Sequence, residues 1–259
     1  MESVLAAGCI SFSTTISSGV QIVLEGKALT KSYKRRRVVD RLSMQVERGK
    51  IIGLLGPNGA GKTTTFYMMI GFIAAEEGEV LLDGKDISML PFYRRTRLGI
   101  SYLPQEPSVF TRASVKENLD LVLEWSTEPG KRFKIREELL HEFGLEGLRT
   151  RWARTLSSGE RRRLEIARAL ATSPSYILLD EPFSGIDPIS VTNLQEQIIT
   201  LKSRGIGLVI TDHNVRDTLS ITDYAYLINE GRVITEGTPE KIFNDPLARR
   251  FYLGERFQA

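Results

Sequence analysis

The apolar residues of this chain fall in short runs with two different periods. VQIVLE at 20–25 alternates and predicts a strand. RRVVDRLSMQV at 36–46 predicts a second strand, and KIIGLL at 50–55, apolar almost throughout, predicts a buried third. KSYKRRR at 31–37 reads as a polar turn, with the basic run Lys34 to Arg37 tipping a hairpin. A glycine-rich stretch follows, and then a helix over 61–73. EVLLDGKDI at 79–87 carries Asp83-Gly84, a tight-turn signal between two strands, and Ile100 to Leu103 predicts another short strand.

From Ser114 to Ala171 the period changes. Val115, Leu119 and Val122 recur at helical spacing, as do Ile135, Leu139, Leu140 and Phe143. Ser114 with Glu117 forms a capping-box pattern, and Pro174 ends the last helix of the block. Tyr176 to Leu179 then predicts a central strand. Val191, Leu194, Ile198 and Leu201 make a helix face, Ile206 to Ile210 a strand, and the tail holds short strands and a final helix. Strands alternating with helices, interrupted by a block of helices, predict an α/β core with an inserted helical subdomain. The expected division is a core of 21–110 and 172–240, a helical subdomain of about 111–171, and a C-terminal tail of 241–259.

Residues 1–20 stand apart. No charged residue occurs from Ser3 to Leu24, and Ser and Thr crowd 11–18. The start has no Lys or Arg, and the apolar patch Val4 to Ala7 is shorter than the core of a signal peptide. The segment is expected to be a disordered extension, and it contains the chain's one cysteine, Cys9. That single cysteine rules out a disulfide-stapled scaffold. The longest apolar stretch, FYMMIGFIAA at 66–75, is too short to span a bilayer. With 35 Lys and Arg against 32 Asp and Glu, the formal charge is +3, which argues for no nucleic-acid partner.

Chemistry enters at residues 56–63, GPNGAGKT, which fit G-x-x-x-x-G-K-[ST] between a buried strand and a helix. Glycines there let the backbone wrap phosphates, with N–H groups pointing inward at a helix N-terminus. Gly56, Asn58, Gly59 and Gly61 are the candidate cradle. Lys62 reaches for the β- and γ-phosphates, Thr63 offers a hydroxyl to Mg²⁺, and Thr64 can bond the α-phosphate. The ligands implied are ATP and Mg²⁺.

ILLDE at 177–181 is an apolar strand ending in two acids. Asp180 sits where it can hold Mg²⁺, directly or through water. Glu181, one step on, faces the other way and can polarise a water for attack on the γ-phosphate. LSSGE at 156–160 opens a further helix, so Ser157 and the Gly159 N–H make a natural anion site.

The ordered set GPNGAGKT, Gln105 in YLPQ, LSSGE, ILLDEP, SGID at 184–187 and His213 in TDHN resembles the nucleotide-binding subunit of ABC transporters. The resemblance implies a P-loop NTPase core, RecA-like, whose mixed sheet is joined by an antiparallel β-subdomain and the helical insertion. It implies an ATPase working as a head-to-tail homodimer, with ATP at the interface and the LSSGE loop of one subunit capping the nucleotide of the other. It also implies two membrane subunits docked between the core and the helical block, on the cytoplasmic face of the membrane. Residue by residue, Tyr33 matches the aromatic that stacks on adenine, although a turn tyrosine packed on the sheet is the other reading. Gln105 matches the residue that senses the γ-phosphate and metal, and Asp187 the residue that links the two sites. His213 matches the switch histidine, against the alternative of a structural histidine. The family usually has Gly where this chain has Ser158, so a backbone requiring positive φ there would weaken the nucleotide contact.

Longer strings are similar to the ATPases of Gram-negative lipopolysaccharide-export systems. Among them are GLLGPNGAGKTTTFYM at 53–68, LSSGERRRLEIARAL at 156–170 and ITDHNVRDTLSITDYAYLINEG at 210–231, together with the tail RRFYLGERF at 249–257. Export of lipopolysaccharide from the inner membrane is the activity this implies; the alternative is the ATPase of a branched-chain amino-acid importer. Phe92, Tyr93, Arg94 and the segment around Gln105 are expected to line the groove for the membrane subunit, with internal packing as the other reading. A single cassette of 259 residues argues against the ABC ATPases of translation and DNA repair, and a small-molecule kinase would not need LSSGE.

Overall fold

The first strands in chain order are β1 (Val23–Tyr33), β2 (Arg36–Glu47), β3 (Ile51–Leu55), β4 (Glu77–Leu82) and β5 (Lys85–Asp86), with helix α1 (Lys62–Ile70) between β3 and β4. In this computed structural model, which describes residues 23–249, β2, β1, β4 and β5 form an antiparallel sheet. The expected extension at 1–20 with Cys9, and most of the tail segment at 249–257, lie outside the described residues.

The chain continues through α2 (Phe92–Arg97), β6 (Ile100–Leu103), α3 (Val115–Ser126), α4 (Pro129–Glu142) and α5 (Ser158–Leu170). Then come β7 (Tyr176–Asp180), α6 (Pro188–Ser203), β8 (Gly207–Thr211), α7 (Val215–Leu219), β9 (Tyr224–Asn229), β10 (Arg232–Gly237), α8 (Pro239–Asn244) and α9 (Pro246–Ala248). A second sheet has the order β10-β9-β3-β8-β7-β6, parallel from β9 to β6, with β10 antiparallel at one edge. Every residue of β3, β7 and β8 is buried, which is why IIGLL, YILLD and GLVIT lack the alternation of a half-exposed strand.

The faces of the parallel sheet serve different cores. Leu178 and Val209 point toward α1 and the antiparallel sheet, joining Phe66, Met69, Leu24 and Val46. Ile177, Leu179, Leu208 and Ile210 point the other way and join Leu119, Leu140, Phe143, Leu164 and Ile198 of the helices. The parallel strands therefore end along one edge, and the loops after β3, β6, β7 and β8 meet there. Ligands of parallel α/β sheets bind at such an edge.

Two local expectations differ from the structure, and one element is additional to them. The run at 31–37 is mostly strand: β1 pairs Tyr33 with Arg36, and only Lys34 (φ 55°) and Arg35 (φ 106°) turn. A two-residue hairpin turn needs positive φ, and polar side chains upstream do not end a strand whose backbone stays paired. Helix α1 stops at Ile70, not 73, because Gly71 turns left-handed and Arg95 takes up the helix-end carbonyls of Met68 and Met69. The short helix α2, too brief and too basic to show a helical period, is an element the hydrophobic pattern does not reveal.

Candidate active site

The loop Gly56–Thr63 leaves β3 and runs straight into α1. Gly61 caps α1 at φ 105°, and a Cβ there would lie 2.7 Å from the Val38 carbonyl oxygen. Only glycine meets both demands, and the loop thereby lies against the start of β2. Lys62 is 6% exposed; its Nζ donates to the Gly56 carbonyl at 2.7 Å and the Pro57 carbonyl at 3.1 Å. Burial lowers its pKa, while the carboxylates of Glu181, Asp180 and Asp212 oppose the shift. Those acids from neighbouring strand ends therefore face the lysine. Asn58, Gly59 and Thr63 are exposed and Thr64 is half-buried, so the cradle is open to a ligand.

Asp180 closes β7 at 3% exposure. The Thr211 hydroxyl donates to its Oδ1 at 2.5 Å and the Tyr102 hydroxyl to its Oδ2 at 3.2 Å. Each carboxylate oxygen keeps a second lone pair. Burial, with Asp180 adding to it, raises the Tyr102 pKa, so the phenol stays a donor.

Glu181 has φ 44°, a left-handed backbone that costs a non-glycine residue about 1–3 kcal/mol. Its N–H donates to the Thr211 carbonyl at 2.8 Å. Gln105 Nε2 donates to its Oε2 at 2.7 Å, and His213 Nδ1 lies 3.5 Å from the same oxygen. The structure thus brings together Lys62, Gln105, Asp180, Glu181 and His213 from four loops at one sheet edge. His213 is exposed, so it is no buried structural histidine. A half-buried carboxylate held by an amide, with an imidazole beside it, can accept a proton from a water.

No group of three or more His, Cys, Asp or Glu able to hold a metal occurs among the described residues. Mg²⁺ takes one or two carboxylates and draws its other ligands from phosphate and water. The donor set of one buried carboxylate, a threonine hydroxyl and a glutamine amide suits it.

Ser157 and Gly159 lie elsewhere. Ser157 caps α5 in a complete capping box: its Oγ accepts from the Glu160 N–H at 3.2 Å, and Glu160 accepts from the Ser157 N–H at 2.7 Å. That second bond is the main reason the Glu160 pKa is lowered. Ser158 is the first helical residue of α5 and has no positive φ, so its Cβ meets no backbone penalty. Gly159 is under closer constraint, since a Cβ there would approach Ser190 Oγ to 2.7 Å. The cleft between α5 and α6 measures about 130 Å³, and none of its lining residues comes from the phosphate loop. A nucleotide pocket needs about 300 Å³ or more. Asp187 caps α6 by accepting from the Ser190 N–H at 3.0 Å, and its pKa is lowered first by the Ser190 hydroxyl and then by that N–H.

Tyr33 ends β1 at 48% exposure. Around α2 the outcome is mixed. Phe92 packs on Phe72 with ring centroids 4.5 Å apart, whereas Tyr93 and Arg94 are exposed. Sequence reasoning passed over Tyr102, Thr211, Asp212 and Arg95. The first three are themselves members of YLPQ and TDHN, and that membership is the signal the sequence offers. Arg95 had none: 1% exposed, it donates to the carbonyls of Met68, Met69, Ser88 and Leu90. Burial brings its pKa down to about 10, so it remains charged at neutral pH.

The family model for ABC transporters matches residues 39–184, from the start of β2 through the acidic pair. The chain belongs to the ABC transporter family. It is 53% identical over 237 residues to the lipopolysaccharide export system ATP-binding protein LptB of Acidithiobacillus ferridurans, covering 91% of this chain and 98% of that one. It is 51% identical, with the same coverage, to LptB of Escherichia coli. Among solved structures, an ATP-binding cassette of an ABC transporter in its ADP conformation superposes with a TM-score of 0.81 at 28% identity, covering 92% of this chain and all of that one. The protein is therefore an ABC ATPase, and ATP and ADP are the nucleotides of its domain. ABC ATPases work as dimers with membrane subunits, and among the described residues no helix is long and apolar enough to cross a membrane.

Proposed function

We propose that this ABC ATPase powers a lipopolysaccharide-export system from the cytoplasmic face of the inner membrane. The observation that carries the reading is identity above 50% along nearly the whole length of relatives named as ATPases of that system.

In the working state two copies pair head to tail. The cradle of Gly56, Asn58, Gly59, Gly61, Lys62, Thr63 and Thr64 holds the phosphates, and Tyr33 stacks on the base. The small cleft at Ser157 and Gly159 is half a site, and it becomes useful when a second copy presents it to the nucleotide. Asp187, beside that cleft, links one site to the other. Bound Mg²⁺ neutralises phosphate charge, and Thr63, Asp180 and Gln105 would hold it. Glu181 takes the proton of the attacking water on its carboxylate, while Gln105 and His213 hold that carboxylate in place. Loss of the γ-phosphate contact then favours the open dimer. Residues 111–171 act as the arm that carries Ser157 and Gly159, and the exposed Tyr93 and Arg94 face the membrane subunit.

Affinity purification of the tagged chain from its native membranes tests the proposal. Membrane subunits with jellyroll domains are the expected companions. Multi-helix permeases with a periplasmic binding protein would replace the reading by the importer.

A further inference from the structure

The carboxylate of Asp212 is wholly buried between two loops of the site. Its Oδ2 accepts the Phe183 N–H at 3.0 Å, and its Oδ1 accepts the Asn214 N–H at 2.8 Å. Phe183 lies two residues after Glu181, and Asn214 lies one residue after His213. One side chain therefore ties the turn that carries the hydrolytic carboxylate to the turn that carries the histidine. His213 Nδ1 lies 3.4 Å from the same Oδ1.

The turn after β7 needs such a tie. Glu181 holds φ 44°, and Pro182 follows it. The proline ring biases the preceding residue toward extended backbone, so Glu181 departs from the preference of its own sequence. A disfavoured backbone persists only where its surroundings over-determine it. Two bonds do so here: Thr211 holds the Glu181 N–H, and Asp212 holds the Phe183 N–H on the far side of the proline. Pro182, between them, has no N–H to offer.

We infer that Asp212 is a positioning residue for hydrolysis: it holds the Glu181 carboxylate and the His213 ring at their working separation through the backbone N–H groups of Phe183 and Asn214. It touches no nucleotide itself. The inference rests on the reading of Glu181 as general base. It predicts a loss in the chemical step with no matching loss of nucleotide affinity, because the two N–H groups that Asp212 holds belong to the turns after β7 and β8 and not to the phosphate cradle, where its carboxylate acts on Lys62 only through its charge.

The test uses the full chain and steady-state ATP hydrolysis. In Asp212→Asn the amide keeps the shape but presents an NH₂ group to one of the two N–H donors. We expect kcat to fall about 10-fold or more with no loss of ATP affinity, since removing a negative charge near Lys62 does not oppose an anionic ligand. A second variant places the α-hydroxy analogue of phenylalanine at 183, so that an ester oxygen replaces the one N–H that Asp212 accepts there. It should lower kcat in the same direction, again with no loss of ATP affinity, and it decides the matter if Asp212→Asn does not fold. Wild-type kcat in the ester protein, or equal losses in kcat and ATP affinity in either variant, overturns the inference. Glu181→Gln is measured alongside. If it turns over normally, the general-base reading fails; if it is inactive while both other variants are normal, only the role of Asp212 fails.

Discussion

Gln105 donates to Glu181 across 2.7 Å, joining the loop after β6 to the loop after β7. The glutamine holds the carboxylate from one side, and the His213 ring approaches the same oxygen from another. A base held by one bond and flanked by an imidazole is aimed before substrate arrives, so its removal should affect chemistry more than binding.

Glu181→Gln is therefore expected to lower steady-state hydrolysis by about 100-fold or more, the range for loss of a general base. ATP binding should persist, and size-exclusion chromatography with ATP should show a dimer that no longer dissociates. Normal turnover would remove the general-base role.

Lys62→Ala removes the buried ammonium that now bonds the Gly56 and Pro57 carbonyls. Charge-assisted bonds contribute about 1.5–3 kcal/mol each, so ATP affinity should weaken by about 10- to 150-fold. Calorimetric titration with ATP reads this directly, and unchanged affinity would contradict the phosphate-cradle reading.

His213→Ala should separate the two properties in another way. The ring is exposed and, among the described residues, approaches Glu181 and Asp212 and not the phosphate loop, so affinity for ATP should stay within about twofold while kcat falls. A wild-type rate would leave the histidine no part in hydrolysis.

Arg95→Ala tests the frame around α1. The substitution leaves the carbonyls of Met68, Met69, Ser88 and Leu90 without their donor in a buried place. Unsatisfied buried groups cost about 1–3 kcal/mol each before relaxation, so a total loss of about 2–4 kcal/mol is expected in urea unfolding. Arg95→Lys should recover only part of it, because one ammonium cannot reproduce the planar fork. A midpoint equal to wild type would show that water replaces the guanidinium.

The chain by itself determined the parts of this protein whose chemistry is local. GPNGAGKT announces a phosphate cradle because glycine freedom, a lysine and a threonine act within eight neighbouring residues. The buried strands show themselves as unbroken apolar runs, and Ser114 with Glu117 places a helix start because a capping box closes over three residues. Tertiary structure alone decided which distant groups share the acids. Thr211 and Tyr102 reach Asp180 from 31 and 78 residues away, and Gln105 reaches Glu181 from 76. Those partners follow from the strand order β3-β8-β7-β6, which places the end of β8 between the cradle and the acidic pair. A strand's apolar pattern says that it is buried and carries no mark of which strand lies beside it. The left-handed Glu181, the bridging Asp212 and the four-carbonyl grip of Arg95 stayed hidden for the same reason: each is set by backbone groups that folding, and no local sequence pattern, brings within reach.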